Sequence, residues 1–245
     1  DPQTGEIITS ENLKVHPRMK ELYKFFKYNG KVTDIETYDE KTLDVFNKVN
    51  FLLSWAYGFC CICLLNLLNP FIELWVGAES CLKASTVFLI VLNIYIIGVS
   101  TTIGTLRASA GVFKPDRIIH IICAFTNLLI SIILGIIFGI DGIFIGTCIS
   151  NIIIWSIALP QVVYKHILKT PKKQFYIKLV RDLIINTIAF LAANFLCSLI
   201  SMTNALIAFS VKVIICILIS NTIILLFNLQ SVELRYYINL IKNYM

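Results

Sequence analysis

Four polar residues recur at seven-residue intervals within one apolar stretch of the chain: Thr86, Asn93, Ser100 and Arg107. Seven residues advance an α-helix by nearly two turns, so the four side chains lie close to one helix face. A polar face toward lipid is costly, and this one must therefore face other helices or a water-filled cavity. Both interpretations stay open, because hydrogen bonds between helices suffice for Asn and Ser, and Arg107 at the helix end would also serve as a basic anchor.

Further basic residues are candidates for binding an anionic ligand. Lys114 and Arg117 follow Arg107 in the next loop. Lys212 lies about eight residues into the last apolar stretch, roughly 10 Å below the membrane surface at a rise of 1.5 Å per residue. Snorkelling would bring this ammonium group close to the interface, whereas a lysine that faces a cavity at such a depth would have a functional role.

The sequence predicts no catalytic site. It contains no GxxxxGK[ST] phosphate-binding loop. The three histidines are scattered, and His120 is the sole candidate for a catalytic base. The acidic residues near the ends of the apolar stretches are Asp182, beside Arg181, and Glu73, so we expect no buried carboxylate that could relay protons.

The sequence also predicts neither a metal site nor a cofactor. Of the eight cysteines, only Cys81 lies outside the apolar stretches, and thiols within them are expected to be packing residues. Cys60, Cys61 and Cys63 are close in sequence, but they lack a second ligand cluster. Coupling to a cation gradient stays open, with no residue assigned to it.

Composition excludes a soluble domain. Of the 245 residues, 57% are hydrophobic and 15% are charged, and the mean hydropathy is +0.79. The apolar residues form runs of about twenty, which is enough to cross a membrane as a helix. We therefore predict an all-α polytopic bundle, with a cytoplasmic loop or linker at 1–50, a six-helix membrane lobe at 51–227 and a cytoplasmic tail at 228–245. The predicted spans are 51–71, 84–106, 118–138, 142–163, 183–202 and 205–227.

The distribution of basic residues predicts the orientation. Nineteen of the 21 Lys and Arg residues lie on one side of the six spans, the exceptions being Lys83 and Lys212. Because short cytoplasmic loops are rich in Lys and Arg, both ends of this segment are expected in the cytoplasm. The same distribution accounts for the net charge of +6 without a nucleic-acid partner.

The polar segment before the first span carries two signals. After Pro17, apolar residues and lysines occupy different helix faces, which predicts either a basic amphipathic helix on the membrane lipids of the inner leaflet or a helix packed on the protein's own loops. The chain starts at Asp1 without an initiator Met or a signal segment, so we expect it to continue a longer protein. The apolar residues are Met19, Leu22, Tyr23 and Phe26, and the lysines are Lys20, Lys24 and Lys27.

A glycine pattern predicts a tight hairpin between the third and fourth spans. The string GIIFGIDGIFIG places Gly135, Gly139, Gly142 and Gly146 around Asp141. Small residues at four-residue spacing let two helix backbones approach closely. We therefore expect a structural role for this turn and no catalysis by Asp141.

Three strings carry a family resemblance: NPFIELWVG at 69–77, GVFKPDR at 111–117 and NLLISIILGIIFGIDGIFIGTCISNIIIWSIALPQVVYK at 127–165. They resemble the second half of Wzx-type polysaccharide flippases, the O-antigen, capsule and teichoic-acid exporters of the multidrug/oligosaccharidyl-lipid/polysaccharide superfamily. The resemblance covers roughly 43–178; residues 1–42 depart from it, and the last two spans match only in hydropathy. Its most specific residues are Asn127, Gly139, Gly142, Gly146, Thr147, Trp155 and Pro160.

The resemblance implies a twelve-helix transporter of the bacterial cytoplasmic membrane, with this chain as its second lobe and a preceding six-helix lobe as its partner. An even number of spans would give both lobes the same orientation, as in parallel repeats. Such proteins are not enzymes; they move an undecaprenyl-pyrophosphate-linked glycan from the inner to the outer leaflet by alternating access. Their cationic cavity is lined largely by the first two helices of each lobe.

A lipid-linked oligosaccharide needs a wet, positive path across the membrane. The basic residues would attract its pyrophosphate, and the polar face of the second span would offer hydrogen bonds to its sugars. The residues expected to bind substrate are Arg107, Ser100, Asn93, Thr86, Lys114, Arg117 and, from hydropathy alone, Lys212.

Two other classes of protein remain as alternatives. One is a membrane-embedded enzyme of polysaccharide biosynthesis, such as an acyltransferase or polymerase, which would need a buried nucleophile or base. The other is a drug or peptidoglycan-precursor transporter of the same superfamily.

Overall fold

The computed structural model describes residues 35–112, 117–200 and 203–244, apart from the side chains of 35–40, Arg117 and Tyr244. The chain divides into two units, residues 1–38 and 39–245. The first unit, with the amphipathic helix predicted after Pro17, lies almost entirely outside the described residues, as do Lys114 and the Arg117 side chain. The second unit contains all six predicted spans.

Within the described residues, six helices are long and apolar enough to span a membrane, as predicted, and the chain is a multi-pass membrane protein. Apart from a short 3-10 helix at Ala78–Ser80, the described residues form seven helices: α1 Ile35–Trp75, α2 Ala84–Ser109, α3 Arg117–Phe138, α4 Ile140–Leu168, α5 Lys173–Ser198, α6 Ala205–Asn228 and α7 Val232–Tyr244. Helix α2 is broken at Ser100. Helix α4 contains wide π-helical turns at Ile152–Ala158 and Tyr164–Leu168.

Helical structure extends well into the segments predicted as polar loops. Helix α1 already begins at Ile35 in the segment predicted as a loop, and α5 begins at Lys173, ten residues before the predicted span. The predicted tail forms α7. A window of high hydropathy stops at the first charges, whereas charged side chains that find partners on neighbouring helices let the backbone continue as helix.

Contacts between helix ends show that successive spanning helices run antiparallel. Phe46 of α1, Ile103 of α2, Leu168 of α4 and Phe175 of α5 share one buried cluster. Ile103 lies near the end of α2, Leu168 at the end of α4 and Phe175 near the start of α5. These three helix ends therefore meet on one side of the bundle. At the other end, Asn69 of α1 exchanges hydrogen bonds with the backbone of Leu82, just before α2.

We call the side that contains the Phe46 cluster the basic end, and the other side the opposite end. Among the described residues, the basic end holds most of the Lys and Arg side chains, whereas the opposite end has Lys83. The basic end includes Lys41, Lys48, Arg107, Lys165, Lys169, Lys172, Lys173, Lys178, Arg181, Arg235 and Lys242.

Burial differs sharply between the helices. In the most apolar window of α2, 56% of the residues are buried inside the bundle, compared with 6% in α3. Helix α2 is therefore the central helix of the bundle, and α3 is peripheral. Polar residues on the buried faces of α2 consequently contact other helices, whereas most of the surface of α3 is available to contact lipid.

The predicted hairpin between α3 and α4 is confirmed. Gly139 turns the chain with a φ of 64°, a backbone conformation that favours glycine. A Cβ atom at Gly142 would collide with the carbonyl group of Leu134, and one at Gly146 would lie 2.9 Å from the backbone nitrogen of Ser131. The two helices therefore pack backbone against backbone.

Candidate functional site

The predicted polar face of α2 turns toward α4. Asn93 Nδ2 donates to the carbonyl oxygens of Leu89 (3.0 Å) and Phe144 (3.3 Å) and to Cys148 Sγ (3.0 Å). Its Oδ1 accepts a hydrogen bond from Asn151 Nδ2 at 2.9 Å. Because Phe144, Cys148 and Asn151 belong to α4, these bonds join the two helices. We call Asn93, Cys148 and Asn151 the Asn93 cluster.

Thr86 joins the same two helices at the opposite end. Its Oγ1 donates to Asp141 Oδ1, and Ser85 Oγ donates to Asp141 Oδ2 at 2.6 Å. Each carboxylate oxygen of Asp141 therefore has a hydroxyl donor. For Thr86 and Asn93, the structure favours the interhelical alternative over the cavity, since both side chains are hydrogen-bonded to residues of α4.

Ser100 differs from its neighbours on the polar face. It is fully buried at the break in α2, and its Oγ has no hydrogen-bond partner among the described residues. The same holds for Thr102 Oγ1 on α2 and Ser150 Oγ on α4. Buried hydroxyl groups rarely stay unpaired, so each of these three atoms retains the capacity for a hydrogen bond, for example with water.

Arg107 lies half-buried at the basic end. Its Nη1 is 3.0 Å from His120 Nε2, and because a guanidinium group only donates, the histidine nitrogen is the acceptor. This contact joins α2 to α3. It also places His120, the candidate catalytic base, beside a cation.

Lys212 is not brought together with the other predicted cations. It is half-buried in α6, and its carbonyl oxygen lies 3.9 Å from Cys197 Sγ of α5. No ion pair of Lys212 is found within the part of the chain that the structure describes. It lies seven residues from the start of α6 at the opposite end, far along the bundle from Arg107.

A second polar region lies between α1, α5 and α6, where the sequence analysis expected none. The side chain of Asp182 is only 14% exposed, and it follows the first residue of α5 by nine positions. Asp182 is thus partly buried, while no Asp or Glu among the described residues is fully buried, so the prediction of no buried carboxylate is not contradicted. Asp182 reaches this depth because α5 begins ten residues before the predicted span and carries it into the bundle.

Asp182 is held from one side only. Arg181 donates to Asp182 Oδ1 from Nε (3.1 Å) and Nη2 (2.9 Å), and Nη2 also donates to Asn228 Oδ1 of α6 at 3.2 Å. These bonds leave Asp182 Oδ2 free of the arginine. We call Asp182, Arg181 and Asn228 the Asp182 cluster.

A small cavity lies beside the Asp182 cluster. Its volume of about 10 Å³ is close to the minimum that one water molecule needs. Its lining includes carboxylate, hydroxyl and amide side chains, whose oxygens are the type of ligand that small hard cations prefer. The carboxylate can also take up a proton. The lining residues are Phe51, Ser54, Trp55, Asp182, Ile185, Asn186, Ile224 and Asn228.

A larger groove of about 230 Å³ lies between α1, α2 and α5. Its walls are mostly apolar, among them Leu65, Phe88 and Phe190. Asn186 lines both this groove and the small cavity, and its Nδ2 donates to Tyr95 Oη at 3.3 Å. The Asn186 amide therefore separates a polar compartment from an apolar one.

A half-buried ion pair lies next to the small cavity at the basic end. Lys178 Nζ of α5 donates to Glu233 Oε1 of α7 at 2.7 Å and to Asn47 Oδ1 of α1 at 3.2 Å. Burial alone would raise the pKa of Glu233. The hydrogen bond from Lys178 and the positive charges of Lys178 and Arg181 lower it by more, so the net pKa lies below its usual value.

Sequence reasoning found the polar face of α2 but missed the Asp182 cluster. One signal was present, because Asp182 and Asn186 are four residues apart and share a helix face. Within the described ranges, no group of three or more His, Cys, Asp or Glu side chains is arranged to hold a metal ion. Comparison of this chain with family models, curated proteins and solved structures finds no match.

Proposed function

We propose that the chain is the second six-helix lobe of a Wzx-type flippase, which moves undecaprenyl-pyrophosphate-linked glycan repeat units from the inner to the outer leaflet. The observation that carries this proposal is the α3–α4 hairpin. Three of the residues with the most specific resemblance lie there: Gly139 turns the chain, and Gly142 and Gly146 allow the backbone contact. Trp155 lies further along α4, where it packs on Gly104 of α2.

The charge distribution supports the same proposal. The basic end offers Arg107 and many lysines to a pyrophosphate, which binds best to guanidinium and ammonium groups. Under the positive-inside rule this end faces the cytoplasm, where a lipid-linked precursor would be collected. In this proposal Arg107 attracts the pyrophosphate. The Ser100 hydroxyl, which has no hydrogen-bond partner among the described residues, would form a hydrogen bond with a sugar. Thr86 and Asn93 position α2 against α4.

Transport in proteoliposomes tests the proposal directly. A radiolabelled undecaprenyl-pyrophosphate oligosaccharide is supplied in one leaflet, and an impermeant glycosidase detects its arrival in the other. We expect protein-dependent exposure of the label and a substrate of unchanged mass. A label that stays protected contradicts the proposal, and a product of altered mass would instead support a membrane-embedded enzyme.

Arg107→Ala tests the role of the basic end in the same assay. We expect transport to fall about tenfold or more, because a charge-assisted contact with phosphate is lost. Arg235→Ala is the matched control, since Arg235 is an exposed arginine at the same end. Equal transport by the two variants, at equal membrane insertion, would remove Arg107 from the substrate site.

The DNA sequence upstream of the codon for Asp1 tests the twelve-helix arrangement. A reading frame that continues upstream of Asp1 through six further apolar spans supports the two-lobe transporter. A start codon immediately upstream contradicts it.

Within this function, the Asp182 cluster is the candidate for coupling to a cation gradient. Asp182 lines a cavity of about 10 Å³, close to the volume of one water molecule or small cation, and a carboxylate can exchange a bound cation for a proton. Asp182→Asn should abolish the dependence of transport on the imposed gradient, whereas the matched change Asp141→Asn should preserve it. Unchanged gradient dependence in Asp182→Asn would refute the assignment.

A further inference from the structure

The C-terminal helix α7 lies against the basic end of the cavity that contains Asp182. It follows α6 after only three residues, and Ser231 caps its start by accepting a hydrogen bond from the backbone nitrogen of Leu234 at 3.2 Å. Leu234 is 3% exposed. Helix α7 is thus anchored to the bundle close to its first turn.

Four contacts hold α7 to α1 and α5, one of them between the Lys48 ammonium and the Tyr236 ring, 3.9 Å from its centroid. The Lys178–Glu233 ion pair joins α7 to α5 at 2.7 Å. Tyr237 Oη donates to the carbonyl oxygen of Lys48 at 3.1 Å, and the Tyr237 ring stacks on Phe51 of α1 with ring centroids 6.5 Å apart.

These contacts lie beside the cavity, toward its basic end. Phe51 is itself a cavity wall, and the Tyr237 ring stacks on it. Lys178 precedes Asp182 by four residues, which places the ion pair about 6 Å, or one helical turn, nearer to the basic end. A small cation arriving from that end therefore meets α7 before it meets Asp182.

The sequence of α7 suits a helix that can leave this position. Its polar residues Arg235, Asn239 and Lys242 share one face, while apolar residues such as Tyr236 and Leu240 occupy the rest. An amphipathic helix of this kind is stable in the membrane interface. Release from the bundle would thus leave its apolar side chains in lipid instead of in water.

We propose that α7 is a cap over the Asp182 cavity, which the Lys178–Glu233 ion pair holds closed and which must swing aside before a cation can enter from the basic end. The purpose of such a cap rests on the proposed function, because access to Asp182 matters only if that residue takes part in coupling. The position of the cap does not depend on that function.

Cysteine labelling measures access to the cavity without any transport. Ser54→Cys, a near-isosteric change of a cavity wall, is made in a protein whose eight native cysteines are replaced by alanine. The rate of reaction with a membrane-impermeant cationic methanethiosulfonate is measured in vesicles that expose either the basic end or the opposite end. Labelling should be slow from the basic end while the cap is closed.

Glu233→Lys opens the cap in this experiment, because it converts an attraction to Lys178 into a repulsion. We expect labelling from the basic end to accelerate about tenfold, with no change from the opposite end. The exchanged pair Lys178→Glu with Glu233→Lys should restore slow labelling. Arg235→Glu is the matched control for a charge reversal on the exposed face of α7 and should leave the rate unchanged.

An unchanged rate in Glu233→Lys, or an equal increase from both ends, would overturn the cap. An increase that the exchanged pair fails to reverse would also overturn the assigned role of the ion pair. If Glu233→Lys accelerates labelling while Asp182→Asn keeps its gradient dependence, the cap stands and the coupling role of Asp182 fails.

Discussion

The Asn93 cluster and the Asp182 cluster are two polar regions in the same apolar bundle, and they differ in charge and in completeness. The first is uncharged, and the Asn93 amide is paired on both its oxygen and its nitrogen. The second contains a carboxylate and a guanidinium, adjoins a cavity, and leaves Asp182 Oδ2 outside the arginine bonds. A completed polar network fixes helices in place, whereas an incomplete one retains capacity to bind.

This comparison assigns different roles to the two regions. The contacts of Asn93 hold α2 against α4, and α2 is the central helix of the bundle. The Asp182 cluster lies between α1, α5 and α6, close to α7, the helix that we propose as a movable cap. Substitutions should therefore affect mainly folding in the first region and mainly ion dependence in the second.

The largest effect on stability is expected at the hairpin that supports the Asn93 cluster. Gly142→Ala should destabilise the protein by more than about 3 kcal/mol, because the new Cβ collides with the backbone of Leu134. Gly139→Ala is the matched control: nothing lies within 4 Å of its Cβ position, so only the backbone strain of about 1–3 kcal/mol for a non-glycine residue at φ 64° and ψ −137° applies. Unfolding in mixed micelles measures both changes, and similar losses would show that backbone contact is not decisive.

The next largest effect concerns the charge pair of the Asp182 cluster. Arg181→Gln should destabilise the protein by about 2 kcal/mol, because it leaves a mostly buried carboxylate without its arginine. Adding Asp182→Asn should recover most of that loss. A double variant that is less stable than Arg181→Gln alone would show that the two residues do not act as a pair.

A smaller effect is expected within the Asn93 cluster. Asn93→Ala should cost about 1–2 kcal/mol, since interhelical hydrogen bonds in membranes are individually modest and a small space is left behind. Asn194→Ala provides the control, because Asn194 is exposed on α5. Transport should keep its gradient dependence in Asn93→Ala; its loss would argue against a purely structural role.

The smallest effect is the pH dependence of the Lys178–Glu233 pair. Since the pKa of Glu233 is lowered in the folded protein, the pair stabilises the fold above the ordinary glutamate pKa of about 4.3. That contribution is lost as the pH falls through the lowered folded value. Thermal unfolding in detergent should show a steeper loss of stability for the wild type than for Glu233→Gln in that acidic range. Parallel curves of stability against pH for the two proteins would contradict a contribution of Glu233 ionisation to stability.

The two regions also differ in how far the sequence predicts them. The seven-residue spacing of Thr86, Asn93 and Ser100 lies within one long apolar helix, where local periodicity alone places the side chains on one face. The partners of these residues could not be predicted, because Cys148 and Asn151 lie more than 50 residues away. Whether the face meets protein or water depends on which helix packs against it.

The Asp182 cluster could not be predicted for a related reason. Hydropathy assigns charged residues to loops, and Lys178, Arg181 and Asp182 fall in a charged stretch before the predicted fifth span. Their helix extends further because Arg181 reaches Asn228 and Lys178 reaches Glu233. These partners come from distant segments of the chain.

Sequence alone determined that the chain forms six apolar helices with a basic end and a tight glycine hairpin, because a lipid environment demands about twenty apolar residues for each span and leaves few alternatives to helix. Tertiary structure decided which polar side chains are used up in helix contacts and which remain beside a cavity. Burial of Asp182, pairing of Asn93 and closure by α7 depend on contacts between residues far apart in the chain, and no local pattern encodes the geometry of such contacts.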